Sequence, residues 1–451
     1  MSIALIVLAA GKGTRMKSDL PKVLHPIAGA PMLIHALRAG AALEPARVAV
    51  VTGHGAEAVE AAALEHDEEI ACVRQVEQLG TAHAVAQARG ALADHAGDAL
   101  VLYGDTPFIR PETLERMVAA RQSHDVVVLG FEAADPGRYG RLVMTGEDLD
   151  KIVEFKDATP EEQAITFCNS GVIAADGDTL FDLIDAVGND NAAREYYLTD
   201  IIGIARSRGL SATAIACDEA ETLGVNSRAE LAAAEALFQA RMRADAFEEG
   251  VMLQAPETVH FAFDTVIGPD TLVEPNVVFG PGVTVENGAH IRAFSHLEGC
   301  HVASGAVVGP YARLRPGTEL GEDVRVGNFV EIKNAVLETG AKVNHLTYIG
   351  DADLGEACNI GAGTVTCNYD GVMKHRTTIG AGAFIGSGTM LVAPVTVGDG
   401  ALIGSGSVIT QDVPAEALAL ARARQETKPG HAKRLFDMLR RKKSNMNKGS
   451  H

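Results

Sequence analysis

Three groups of residues in this chain have the types and spacing for chemistry. The first is Leu8-Ala9-Ala10-Gly11-Lys12-Gly13-Thr14-Arg15-Met16, which closes an apolar run over 3–8, with Lys22 following in Leu-Pro-Lys-Val-Leu. Glycines after a parallel strand let backbone N–H groups approach a phosphate, and a helix starting there adds positive potential. The Gly-Lys-Ser/Thr ending of a P-loop is absent, and Met16 stands where a dinucleotide fingerprint has its third glycine. Two glycines alone describe a tight turn equally well, but Arg15 and Lys22 add cations within reach of it. The second group is Tyr103-Gly104-Asp105, where a lone carboxylate ends a strand-like run and faces the crevice beyond it. A helix-capping Asp is the competing reading. The third lies in the second half: His345, two residues beyond the inward Val343 and so off the core positions of the local repeat, and a break of that repeat at 361–378. An imidazole with an ordinary pKa of about 6.5 suits proton transfer near neutral pH.

The elements that must position these groups change character near residue 228. Over 1–227, short aliphatic runs at 3–8, 48–52, 70–74 and 99–103 alternate with helical patterns at 32–43, 56–64 and 81–92. Runs of that kind read as strands buried on both faces, and the alternation predicts a mainly parallel sheet flanked by helices. Ligands then sit beyond the carboxyl ends of the strands. Residues 228–249 are rich in Ala, Glu and Arg without Gly or Pro up to 249, which predicts one connecting helix.

From 250 to 414 the grammar is a hexapeptide repeat. Ile267, Val273, Phe279, Val285, Ile291 and Leu297 recur every six residues, as do Val302 to Ile332 and Ile379 to Ile409 in two further registers. A period of six places one inward aliphatic on each flat side of a three-sided coil, a parallel β-helix. At about 18 residues per coil the region holds about eight or nine coils, a prism roughly 40 Å tall. The break at 361–378 projects a loop, and such loops often carry function. Over 415–451 the repeat is lost, 431–443 reads as a short amphipathic helix with a basic end, and Lys448-Gly449-Ser450-His451 reads as the stub of an expression tag.

Composition limits the partners. Asp and Glu number 59 against 39 Lys and Arg, and a net charge of −20 excludes a general nucleic-acid binder, whose footprint is a basic face. No stretch approaches the roughly 20 apolar residues that span a bilayer, and the first apolar run lacks the basic flank of a signal peptide, so no membrane partner is expected. Six cysteines without any CxxC pairing point to free thiols in a reducing cytoplasm rather than a zinc site.

LAAGKGTRM followed by LPKVLHPIAG resembles the opening of sugar-nucleotide pyrophosphorylases. Joined to a hexapeptide coil carrying NFVEIKN, HLTYIGDA and NIGAGTVTCNYDG, the chain over 1–425 resembles the bifunctional N-acetylglucosamine-1-phosphate uridyltransferase/glucosamine-1-phosphate N-acetyltransferase family. The resemblance implies an α/β Rossmann-like nucleotidyltransferase domain fused to an all-β, left-handed parallel β-helix acetyltransferase domain. It implies acetylation of glucosamine 1-phosphate from acetyl-CoA, then transfer of UMP from UTP, giving UDP-N-acetylglucosamine, a cell-envelope precursor, in a cytoplasmic homotrimer. By the same resemblance Arg15 is a catalytic residue, Leu8, Ala9, Ala10, Gly11, Lys22, Gln75, Gly80, Thr81, Tyr103 and Gly104 hold the nucleotide, and Gly140, Glu154 and Asn169 hold the sugar. Asp105 and Asn226 become magnesium ligands. In the coil Arg315, Lys333, Tyr348 and Asn359 match sugar-phosphate contacts, His345 the general base, and Ala362, Asn368, Tyr369, Ser387, Ser405 and Arg422 the acetyl-CoA contacts. Two other readings fit the same architecture: a pyrophosphorylase whose β-helix only assembles and regulates, and a non-catalytic regulatory subunit.

Overall fold

The computed structural model describes residues 2–191 and 193–448, so the tag-like 449–451 lie outside the described residues. The chain forms two compact units, Met1–Asp245 with Phe261–Asp264, and Ala246–His260 with Thr265–His451.

The first unit is built on a nine-stranded sheet. Its strands are β1 (Ile3–Ala9), β2 (Arg47–Thr52), β3 (Ala71–Arg74), β4 (Asp98–Tyr103), β5 (Val126–Glu132), β6 (Arg141–Thr145), β7 (Asp148–Val153), β8 (Phe167–Asp176) and β9 (Ala212–Cys217), in the spatial order β3-β2-β1-β4-β8-β5-β9-β7-β6. All seven residues of β1 are buried between parallel neighbours β2 and β4, which is why its sequence is aliphatic without alternation. Helices α1 (Met32–Ala41) and α2 (Ala56–His66) contribute to the core on one face, and α3 (Thr81–Ala86) to the core on the other.

Three expectations are corrected here. The sheet is mixed rather than mainly parallel, because β8 runs antiparallel to both β4 and β5, and β6 and β7 form a hairpin. Between β5 and β8 that hairpin and a four-residue helix intervene, and no long helical crossover returns the chain to its starting end. The glycine turn after β1 leads into a three-residue 3₁₀ turn, Thr14–Met16, and not into an α-helix, so no helix dipole points at it. The connecting helix, α4 (Arg228–Glu248), is also more than a linker. Leu231, Ala234, Leu237 and Phe238 lie along one face and pack with Ile27, Met32 and Phe108, while Gln239 bonds both backbone groups of Phe261.

The second unit is a parallel coil of two- to seven-residue strands. One of its faces runs Val273, Ile291, Val308, Val326, Val343, Ile360, Ile385, Ile403, each paired with the next and each almost fully buried. That face has ten strands, more than the coil count expected, and it continues past Pro414 to Leu418–Ala419. The step from Ile360 to Ile385 is 385 − 360 = 25 residues where the others are 17 or 18. The excess is a loop, but Val365–Cys367 still pairs within the coil, so the excursion is confined to 368–376. The C-terminal helix runs His431–Lys448, longer than expected.

Ile332 is fully buried on a second face of the coil, between Leu314 and Ile349. Ile332→Ala is expected to cost about 2–5 kcal/mol through lost burial and a residual cavity. Chemical denaturation followed by circular dichroism checks this, and a cost under about 1 kcal/mol would mean the coil relaxes around the gap.

Candidate active sites

A cavity of about 340 Å³ opens at the carboxyl ends of β1 and β4. Leu8, Ala9, Ala10 and Gly11 form one wall, Gln75, Gly80 and Thr81 another, and Tyr103, Asp105 and Lys22 the floor nearest the sheet. Gln78 ties the walls together by donating to the Ala10 carbonyl at 2.6 Å, and Gln75 donates to the Gly80 carbonyl at 3.0 Å. Gly80 has φ 126°, and a Cβ there would lie 2.5 Å from the Tyr196 carbonyl, so only glycine fits. Thr81 caps the opposite segment by accepting from the Leu198 N–H at 2.9 Å. Burial, then the carboxylates of Asp105 and Glu154, push the Tyr103 phenol far up, so it stays a neutral hydroxyl. Gly104 donates to the Leu8 carbonyl at 3.0 Å, locking the Tyr103–Asp105 turn against β1. Arg15, on the 3₁₀ turn, is exposed and does not line this cavity.

Lys22 Nζ contacts Asp105 Oδ2 and donates to Asn226 Oδ1 at 3.1 Å, so one ammonium joins two residues 121 positions apart in sequence. Gly13 makes the approach possible, since a Cβ on it would lie 2.5 Å from Lys22 Cβ. Asn226 is held from behind by Glu230, which accepts its N–H at 2.6 Å. The two oxygens of Asp105 and Asn226 are hard donors that fit Mg²⁺, an ion that takes few protein ligands and completes its shell with water and phosphate. Among the described residues no cluster of three or more His, Cys, Asp or Glu offers a full protein cage.

Gly140, Glu154 and Asn169 come together beside this cavity's Tyr103 side. Asn169 donates its N–H to the Gly140 carbonyl at 2.9 Å, and a Cβ on Gly140 would lie 3.5 Å from Glu154 Oε1. Glu154 accepts from Thr199 Oγ1 at 3.3 Å, and burial holds its carboxyl above the ordinary range. Three residues escaped the sequence reading. Arg141 is buried and donates to the carbonyls of Pro136, Gly137, Tyr139 and Gln163, which fixes the loop that ends at Gly140. Glu195 lines the cavity, and Thr199 orients Glu154. None of these sits in a motif; only the fold brings them in.

On the coil, His345, Ala362, Ser387 and Ser405 follow one another along one edge, whereas Lys333 and Tyr348 lie on strands of the adjoining face and Arg315 just past one. The backbone ladder along that edge runs from His345 to Gly363, Ala362 to Gly388 and Ser387 to Gly406, and Arg422 donates to the Ser405 carbonyl at 2.7 Å. His345 is exposed, with Nδ1 3.3 Å from Asn328 Oδ1, its partner on the preceding coil. Arg315 pairs with Glu331 at 2.9 Å. The Lys333 ammonium is pulled below its usual range, first by contact with Lys374, then by burial, with Asp351 opposing. Lys374 was not singled out in the sequence, because it lies in the excursion that brings it to Lys333 only in three dimensions. Asp351 accepts from Asn334 at 2.6 Å and from Asn368. Tyr348 sits one rung beyond Glu331 and fits because a Cβ on Gly350 would overlap its hydroxyl, while Asn359 pairs with Lys342.

The excursion is a fixed loop. Asp370 accepts from the N–H groups of Val372 and Met373 and from His375 at 2.7–2.8 Å, which pulls its carboxyl down to about 2, the His375 contact leading. Tyr369 is exposed and donates to the Gly371 carbonyl. A cavity of about 330 Å³ touches His345 together with Asn328, Tyr311 and Phe329, but it does not include Arg315 or Lys333. Within one chain, the acetyl constellation lies on an open edge.

Comparison with known proteins gives matches for both units. The MobA-like NTP transferase domain matches residues 5–166, and the bacterial transferase hexapeptide (six repeats) matches 264–299 and 376–411. The bifunctional protein GlmU of Cereibacter sphaeroides is 70% identical over 449 residues, 100% of this chain and 99% of the relative. That of a Ruegeria species is 69% identical, covering 100% of both chains. A solved UDP-glucose pyrophosphorylase complexed with UDP-glucose is similar over 53% of this chain and 100% of its own, with 19% identity and a TM-score of 0.44.

The raised Glu154 carboxyl makes a prediction about stability. The folded protein keeps this proton to higher pH than the unfolded chain, so the stability it contributes is present in acid and is lost as pH rises through the folded value. Glu154→Gln is neutral throughout and still accepts from Thr199. It is expected to melt higher than the wild type at pH 7–8, with the gap closing below about pH 4. Paired melting curves at the two pH values check this; a larger gain in acid would reverse the assignment.

Proposed function

Because the chain belongs to the bifunctional GlmU family, we propose that its two constellations are the two active sites of consecutive acetyl and uridyl transfer. The enzyme acetylates glucosamine 1-phosphate from acetyl-CoA and then transfers UMP from UTP to N-acetylglucosamine 1-phosphate. The observation that carries this reading is end-to-end similarity at about two-thirds identity, with both domain types matched. It sets aside the monofunctional and non-catalytic alternatives.

For uridyl transfer, the phosphate oxygen of N-acetylglucosamine 1-phosphate attacks the α-phosphorus of UTP and pyrophosphate leaves. The nucleophile is already ionised, so no general base is required, and catalysis is positioning plus charge neutralisation. In the proposed arrangement Gln75, Gly80 and Thr81 receive the uracil, and the amides of Ala10 and Gly11 lie along the nucleotide. Lys22 and Arg15 reach the phosphates, Arg15 by folding in from its exposed turn. Gly140, Glu154 and Asn169 hold the sugar. Magnesium, held by Asp105 and Asn226, would supply further neutralisation of the triphosphate.

For acetyl transfer, Arg315, Lys333 and Lys374 fix the sugar phosphate, with Tyr348 and Asn359 along the ring. Three cations converging on one spot, two of them in mutual contact, support an anion there. His345 takes the proton from the substrate amine as nitrogen bonds to the thioester carbonyl carbon; CoA thiolate leaves as the intermediate collapses. The Tyr369 N–H faces the developing oxyanion, and Ala362, Asn368, Ser387, Ser405 and Arg422 hold acetyl-CoA. Since these groups lie on an open edge, a second and third copy of the chain would wall the site, which supports a homotrimer. Among the described residues no helix is long and apolar enough to cross a membrane, and the six free cysteines support a reducing cytoplasm.

A crossed experiment tests the division of labour. Asp105→Ala is expected to abolish pyrophosphate release and leave CoA release nearly intact. His345→Ala should lower CoA release by about 10²–10⁴-fold, the usual contribution of a general base, while uridyl transfer from supplied N-acetylglucosamine 1-phosphate persists. Equal loss of both activities in a folded variant would sink the two-site reading, and CoA release within a few-fold of wild type would exclude His345 as the base. Analytical ultracentrifugation should find a trimer; a monomer with full acetyltransferase activity is the contrary result.

A further inference from the structure

We propose that Lys22 is a placeholder for the metal ion, holding Asp105 and Asn226 together until the nucleotide triphosphate draws its ammonium away. This rests on the reading of Asp105 and Asn226 as metal ligands. The two oxygens that would face the ion are the two that Lys22 Nζ now contacts, Asp105 Oδ2 and, at 3.1 Å, Asn226 Oδ1. The contact is sheltered, with the side chains of Lys22 and Asp105 only 11% and 19% exposed, so water screens it weakly. A divalent cation approaching Asp105 and Asn226 therefore meets a carboxylate already paired and a positive charge already resident.

The backbone decides which partner moves. The Asp105 main-chain carbonyl accepts the Val225 N–H at 3.0 Å, and the Asn226 main chain is held through its N–H by Glu230. The root of Lys22 is pinned against Gly13, where nothing larger than hydrogen fits. Beyond that root, the outer methylenes and the ammonium of Lys22 are free to swing. A triphosphate offers them several anionic oxygens in place of one carboxylate, and the departure of Nζ uncovers both oxygens for the metal. Lys22 thereby fixes an order, in which the metal enters with or after the nucleotide and free divalent cations do not bind the nucleotide-free protein at Asp105.

The probe is Mn²⁺ binding to the nucleotide-free, full-length protein, followed by electron paramagnetic resonance. Lys22→Met is expected to bind Mn²⁺ at least tenfold more tightly than the wild type, and adding Asp105→Asn should erase the gain. Lys22→Gln, which keeps a neutral donor toward Asp105, should shift affinity the same way and serves where Lys22→Met melts early. Binding by both lysine variants no tighter than wild type overturns the placeholder. A separate arm with UTP present asks whether Asp105→Asn weakens Mn²⁺ retention in the ternary complex. Weakening there with no gain from the lysine variants rejects the placeholder alone; no weakening there rejects the metal-ligand reading itself.

Discussion

A strand cannot pair in parallel with the next until the chain has been carried back to the end where it began. Both halves of this protein are organised by that return. In the first half helical segments make it, so β1, β2 and β4 end at one edge, and Leu8–Gly11 meets Tyr103–Asp105 across nearly a hundred residues. In the second half two further flat strands make it, so every coil presents the same edge again. Asn328, His345 and Ala362 become neighbours by stacking, although each is 17 residues from the next.

Where the repeat or the alternation fails, candidate site residues collect. The antiparallel β8 and the β6–β7 hairpin interrupt the parallel order, and they carry Gly140, Glu154 and Asn169. The excursion at 368–376 interrupts the coil, and it delivers Asn368 to Asp351 and Lys374 to Lys333. In each place a backbone released from regular pairing is tied down by side chains instead, Arg141 in one case and Asp370 in the other. The chain as a whole is strongly acidic, yet Arg315, Lys333 and Lys374 gather on the coil and Lys22 lines the first cavity. Local placement, not net charge, decides what they attract.

The hexapeptide register, the aliphatic strands and the glycine turn after β1 were all legible in the sequence, because each follows from a period or a local conformational demand. Ile332 faces inward for the same reason as Leu314 and Ile349, and counting by coils finds all three. The residues of the candidate sites were legible through their resemblance to a family, which ties residue type to position without showing contact.

Tertiary structure alone decided which of those residues meet. That Lys22 lies between Asp105 and Asn226, that Thr199 donates to Glu154, and that Lys374 presses on Lys333 depend on segments far apart in sequence. It also decided that the sheet is mixed, that no helix follows the glycine turn, and that the coil outlasts Pro414. The physical reason is common to all of them. Periodicity and propensity act over a few neighbouring residues, whereas ion pairs, desolvation and strand direction are set by whatever the rest of the chain packs alongside.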